Sequence, residues 1–130
     1  MYRSEIIYFG PPGLEADVFE KTMLNLGYWV DRAEQDVELL GEIGAHPGAI
    51  TVVATQLSTD GLAELLREIR IRQGASHAPI FVIGGNDHVE ETGDGVHFVP
   101  ASRRLRGTVN GIADYVRRFG QRASLASAQA

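Results

Sequence analysis

The chain has 130 residues, a net charge of −5 and no cysteine. One domain with a single core is expected, and disulfides, thiolate catalysis and cysteine metal sites are excluded. An apolar fraction of 44% and a charged fraction of 22% are ordinary for a soluble globular protein, and the acidic balance argues against nucleic acid as a partner.

The first strand is predicted at Glu5 to Phe9 and ends at Gly10-Pro11-Pro12-Gly13, because proline fixes φ and donates no hydrogen bond. A helix follows from Leu14 to Leu26, with Glu15 and Asp17 in the first turn, where the helix dipole favours acids. Leu14, Val18, Phe19, Thr22 and Leu26 fit one buried stripe, and Gly27 suits the C-terminal cap. Tyr28-Trp29-Val30 reads as a short second strand, and Asp36 to Ile43 as a short helix closed by Gly44.

His46-Pro47-Gly48 turns the chain into Ile50 to Val53, an apolar run with little alternation, as expected of a parallel strand buried on both faces. That strand ends at Ala54, and Asp60-Gly61 punctuates the chain before Leu62, Leu65, Leu66 and Ile69 recur at helical spacing. Gly74 to His77 is a polar loop, and Pro79 to Ile83 a fourth strand ending at Gly84-Gly85.

Asn86 to Gly95 (NDHVEETGDG) carries one large apolar residue, Val89, so the helix due there is shortened to a turn or missing. Val96 to Val99 is the fifth strand, followed by Pro100. A last helix starts near Ser102, with Leu105, Val109, Ile112, Val116 and Phe119 forming its core stripe. Residues 1–120 are expected to form the domain, and 121–130 (QRASLASAQA) a disordered tail or the start of a linker.

Strands alternating with helices imply right-handed crossovers and a parallel sheet. The expected class is α/β: a flavodoxin-like, doubly wound five-stranded sheet of order 2-1-3-4-5.

Three features together resemble the receiver (CheY-like) domain of two-component response regulators over roughly Glu5 to Phe119. They are LGYWVDRAEQDVELL at the second strand and helix, DGLAELLREIR at the third helix, and the apolar strands between. The resemblance places the family's acidic pair on Gly10 and Pro11, its phosphoacceptor aspartate on Ala54, its hydroxyl residue on Gly84 and its lysine on Val99. Pro100 does match the family's proline.

Two carboxylates are needed to hold Mg²⁺ beside a phosphoryl group, and a third must act as nucleophile. Glycine, proline and alanine do neither, so the resemblance implies a degenerate pseudo-receiver. Thr55 has a hydroxyl but follows Ala54 on the other side of the strand, and Glu15 and Asp17 are read as first-turn acids. The resemblance also implies dimerisation or output contacts through the fourth helix, fifth strand and fifth helix.

Other constellations carry less. FGPPG is not a G-x-G-x-x-G phosphate loop, and its prolines remove N–H donors. Gly84 to His88 reads as a polar loop ahead of an anion-binding nest. His46, His77, His88 and His97 lack metal-ligand spacing, so no metal is expected. Arg103, Arg104 and Arg106 open the last helix, where cations sit poorly with the dipole; they form either a solvated face or an anion site.

The expected function is a non-catalytic, unphosphorylated pseudo-receiver without a cofactor, at the N-terminus of a larger bacterial signalling protein. It would contact other signalling proteins or a C-terminal output domain, or form a homodimer, through Arg117, Arg118 and the 86–95 loop. The alternative is a sensor that binds cyclic di-GMP through Arg103, Arg104 and Arg106. An enzyme of unrecognised type ranks third. The absence of a long apolar run or signal pattern points to a cytoplasmic protein with no membrane partner.

Overall fold

The apolar runs at Ile6–Phe9 (β1) and Ile50–Val53 (β3) become the two central neighbours of a parallel sheet. The computed structural model describes residues 6–84, 95–99, 107, 109–114 and 116–118. Around these strands the chain adds α1 (Leu14–Asn25), β2 (Val30–Ala33), α2 (Asp36–Ala45) and α3 (Thr59–Gln73). A 3₁₀ turn (Gly74–Ser76), β4 (Ile80–Ile83) and β5 (Val96–Val99) follow. Residues 107, 109–114 and 116–118 are helical and are called the C-terminal helical segment.

The five strands run in the order β2-β1-β3-β4-β5, every pair parallel. This is the flavodoxin-like order expected from the sequence. Residues alternate across the sheet, so β1 sends Ile7 and Phe9 to one core and Ile6 and Tyr8 to the other. Leu39 and Ile43 of α2 and Leu62, Leu65, Leu66 and Ile69 of α3 fill the first core. Phe19 and Met23 of α1, with Val109, Ile112, Ala113 and Val116, fill the second. The predicted stripe of the last helix therefore faces the core at Val109, Ile112 and Val116, whereas Leu105 and Phe119 lie outside the described residues.

Several boundaries differ from expectation, each for a physical reason. The second strand is Val30–Ala33, not Tyr28 to Val30. The aromatic pair has high strand propensity, but pairing with β1 begins at Ile6↔Val30. As an edge strand, β2 leaves Asp31 and Arg32 half-buried, which hides it from an apolar count. In α1 the inward stripe is Ala16, Phe19 and Met23; Leu14, at the first helical position, is 74% exposed, and Leu26 lies past the helix end.

Helix α2 continues through Gly44 to Ala45, which makes His46 its C-cap. Helix α3 begins at Thr59, ahead of Asp60-Gly61, because the Ser58 hydroxyl accepts the Gly61 N–H at 3.1 Å and caps it. The Gly74 to His77 loop contains the 3₁₀ turn and ends with His77 at φ 45°. Of the short or missing fourth helix expected at Asn86 to Gly95, only Gly95 is described, in a turn at φ 81°; the rest of it, and the expected tail at 121–130, lie outside the described residues.

Thr51 sits at the centre of β3, fully buried, between Ile7 of β1 and Ile80 of β4. Its hydroxyl has no hydrogen-bond partner among the described residues. Desolvating an unmatched hydroxyl is unfavourable, and valine keeps the shape. Thr51→Val should therefore raise stability by about 1 kcal/mol in urea unfolding; unchanged or lower stability would show that the hydroxyl is satisfied.

Candidate functional site

In an open parallel sheet the carboxyl ends of the strands are where ligands bind, beside the point where strand order reverses. Here that point lies between β1 and β3, and the residues just past each strand are Gly10 and Ala54. The ladder continues to them: the Gly10 N–H donates to the Ala33 carbonyl at 3.1 Å, and the Ala54 N–H to the Phe9 carbonyl at 2.7 Å. Backbone bonds thus hold Gly10 and Ala54 side by side.

They are in close approach. A Cβ built on Gly10 would lie 3.0 Å from Ala54 Cβ and 3.1 Å from Tyr8 Cε1. Neither neighbour is the loose end of a flexible chain: the alanine methyl is carried by the ladder, and Tyr8 is 1% exposed with its ring 4.9 Å from that of Phe19. Pro11 follows, exposed to solvent.

On the other side of β3, the Gly84 N–H donates to the Val99 carbonyl at 2.9 Å, which joins the ends of β4 and β5. Gly84 has φ 75°, in the left-handed region that favours glycine over a side chain with a branched Cβ. The structure therefore gathers Gly10, Pro11, Ala54, Gly84 and Val99 along one edge of the sheet, and none of the five brings a carboxylate, hydroxyl or amine. Arg117 and Arg118 are exposed on the C-terminal helical segment, while Arg103, Arg104 and Arg106 lie outside the described residues.

Two polar groupings go beyond what was read from the sequence. Asp17 does more than supply a first-turn acid: its Oδ1 accepts from Arg32 Nη1 of β2 at 2.8 Å, and Glu20 lies 3.8 Å from the same nitrogen. This ties α1 to the edge strand. Arg32 also pairs across the ladder with Tyr8. Burial pushes the Tyr8 phenol up to about 12; the Glu15 carboxylate acts in the same direction and the Arg32 guanidinium opposes it.

At the opposite end of the sheet, Asp31, Glu42 and His46 place one ligand-type atom each within 4.8 Å of one another. The signal was present as Glu42 and His46, four apart, but it needed α2 to run past Gly44. Asp31 is distant in sequence and joins them only through the fold.

Several solved structures share this architecture, among them the following three. Constitutive lysine decarboxylase from E. coli matches with a TM-score of 0.64 and 17% identity over 90% of this chain. The chain spans only 17% of the length of that enzyme. The receiver domain of the hybrid histidine kinase CckA matches with a TM-score of 0.58 and 19% identity, over 85% of this chain and 97% of that domain. A response regulator receiver protein from Sinorhizobium medicae WSM419 gives 0.61 and 14%, over 88% and 95%. At these identities the likeness establishes the fold, which receiver domains share. No family model and no curated protein sequence matches the chain.

Two measurements follow from this edge. Gly10→Ala should cost about 1–3 kcal/mol, because the added methyl overpacks two fixed neighbours; a neutral effect in chemical denaturation would mean that the strand ends yield easily. For Tyr8, the folded value lies above the ordinary 10, so the fold prefers the neutral phenol. That contribution is complete below pH 10 and is lost as pH rises through about 12. In an alkaline titration followed by tyrosinate absorbance and circular dichroism, one phenol should ionise late and Tyr8→Phe should remove that step. Ionisation of every tyrosine near pH 10 with the fold intact would contradict the burial of Tyr8.

Proposed function

We propose that this chain is a receiver-like signalling module that acts by protein contact and does not accept a phosphoryl group. The observation that carries the reading is the composition of the carboxyl edge. Gly10, Pro11, Ala54, Gly84 and Val99 occupy the positions where the resemblance puts the family's chemistry. Phosphoryl uptake needs an ionised nucleophile and a carboxylate cage for a divalent cation. Neither can be assembled from those five side chains, and the 3.0 Å approach at Gly10 leaves little room for a carboxylate-bearing Cβ.

The receiver structures support the signalling half of the reading through the fold they share with it. The lysine decarboxylase match supports the modular half, because there a comparable fold makes up 17% of a much longer protein. The exposed Arg117 and Arg118 are suited to an acidic surface of a partner, an attached output domain or a second copy of the chain. Among the described residues no helix is long and apolar enough to cross a membrane.

Incubation with acetyl phosphate and Mg²⁺, read by intact mass, should leave the protein unmodified. A stoichiometric adduct that depends on Mg²⁺ would overturn the proposal and restore a phosphorylated receiver.

A further inference from the structure

The amino end of the sheet, away from the edge just described, holds an arrangement of a different chemistry. Asp31 is the second residue of β2, paired with Ile7 of β1. Glu42 lies in the last turn of α2, and His46 caps that helix. Helix α2 packs on β2, so these three side chains converge, half-buried, with their ligand-type atoms within 4.8 Å of one another.

From this we infer that Asp31, Glu42 and His46 form a binding site for a divalent transition-metal ion of the Zn²⁺ type. The donor set is two carboxylate oxygens and one imidazole nitrogen. The oxygens bring two negative charges to meet a dication, and the imidazole selects against Mg²⁺ and Ca²⁺, which prefer oxygen throughout. Bonds of about 2.0–2.2 Å to one ion put its ligands roughly 3–4 Å apart. Closing the present spacing takes an adjustment of about 1 Å, within reach of half-buried side chains.

The surroundings hold two of the ligands in place. Glu42 and His46 are four residues apart, so they project on one side of the helix. The His46 backbone is fixed at both ends: its N–H donates to the Glu42 carbonyl at 2.8 Å, and its carbonyl accepts from Ala49 N–H at 3.0 Å across the Pro47-Gly48 turn. Asp31 is oriented from outside the group, since Trp29 Nε1 donates to its Oδ1 at 3.1 Å. An N–H that steadies a ligating carboxylate is the usual supporting contact in metal sites. The bound ion would clip the edge strand β2 to the end of α2.

Trp29 is the single tryptophan, which makes it a reporter. Zn²⁺ added to the chelator-treated protein should change Trp29 fluorescence saturably at one equivalent and raise the melting temperature, and excess Mg²⁺ should not compete. Losing a ligand should weaken binding at least as much as losing an outer contact, which is about 10–100-fold. His46→Gln and Asp31→Asn should each show that loss, whereas His77→Gln should bind as wild type. Co²⁺, which needs no variant, should quench Trp29 in the wild-type protein at one equivalent. Binding that survives either His46→Gln or Asp31→Asn overturns the site. So does a loss on His77→Gln instead, or the lack of a saturable response to both ions.

Discussion

Burial of the central strands on both faces is the constraint on which this molecule depends. All four residues of β1 are hidden, with Ile7 and Phe9 under α2 and α3 and with Ile6 and Tyr8 under α1 and the C-terminal helical segment. No face of such a strand tolerates water, so helices must cover both sides and each crossover must return to the same end of the sheet. Apart from Thr51 in β3 and the Tyr8 phenol in β1, the polar side chains of the described strands are then displaced to the edge strands, where Asp31, Arg32 and His97 are only partly buried. The same constraint brings the ends of β1 and β3 together, and so decides which residues meet at the carboxyl edge.

How much of this was legible follows from how local each signal is. The spans of β3 and β5 and the buried faces of α3 and the last helix were readable, because a short apolar run or a helical stripe is written in consecutive residues. The second strand was misplaced because Tyr28-Trp29 has the stronger local propensity, while the ladder with β1 selected the more polar Val30–Ala33. The stripe of α1 was rotated because Leu14 and Leu26 are apolar but lie at or past the helix ends, where no core reaches them.

The carboxyl edge was readable as identities alone, from Gly10, Pro11, Ala54, Gly84 and Val99. Its geometry was not. The contact of Gly10 with Ala54, the pairing of Arg32 with Asp17, and the meeting of Asp31 with Glu42 and His46 all join separate elements. None has a local signature strong enough to be seen before the sheet is assembled.

The close approach at the carboxyl edge makes three of its residues interdependent. Ala54 already carries a Cβ, so a longer side chain there begins from an occupied position. Gly10 does not, and its missing Cβ would meet Ala54 Cβ at 3.0 Å and the Tyr8 ring at 3.1 Å. Ala54 cannot withdraw without straining its 2.7 Å bond to the Phe9 carbonyl, and Tyr8 is held against Phe19 in a core packed on every side. The glycine is thus required by its neighbours, whatever first placed it there. Gly84 adds a second obstacle, since a β-branched hydroxyl residue at φ 75° would begin from a strained backbone. A carboxylate cage at this edge with a hydroxyl residue beside it would therefore need coordinated changes at Gly10, its packing partners and Gly84, because no single substitution supplies both the missing groups and the space to hold them.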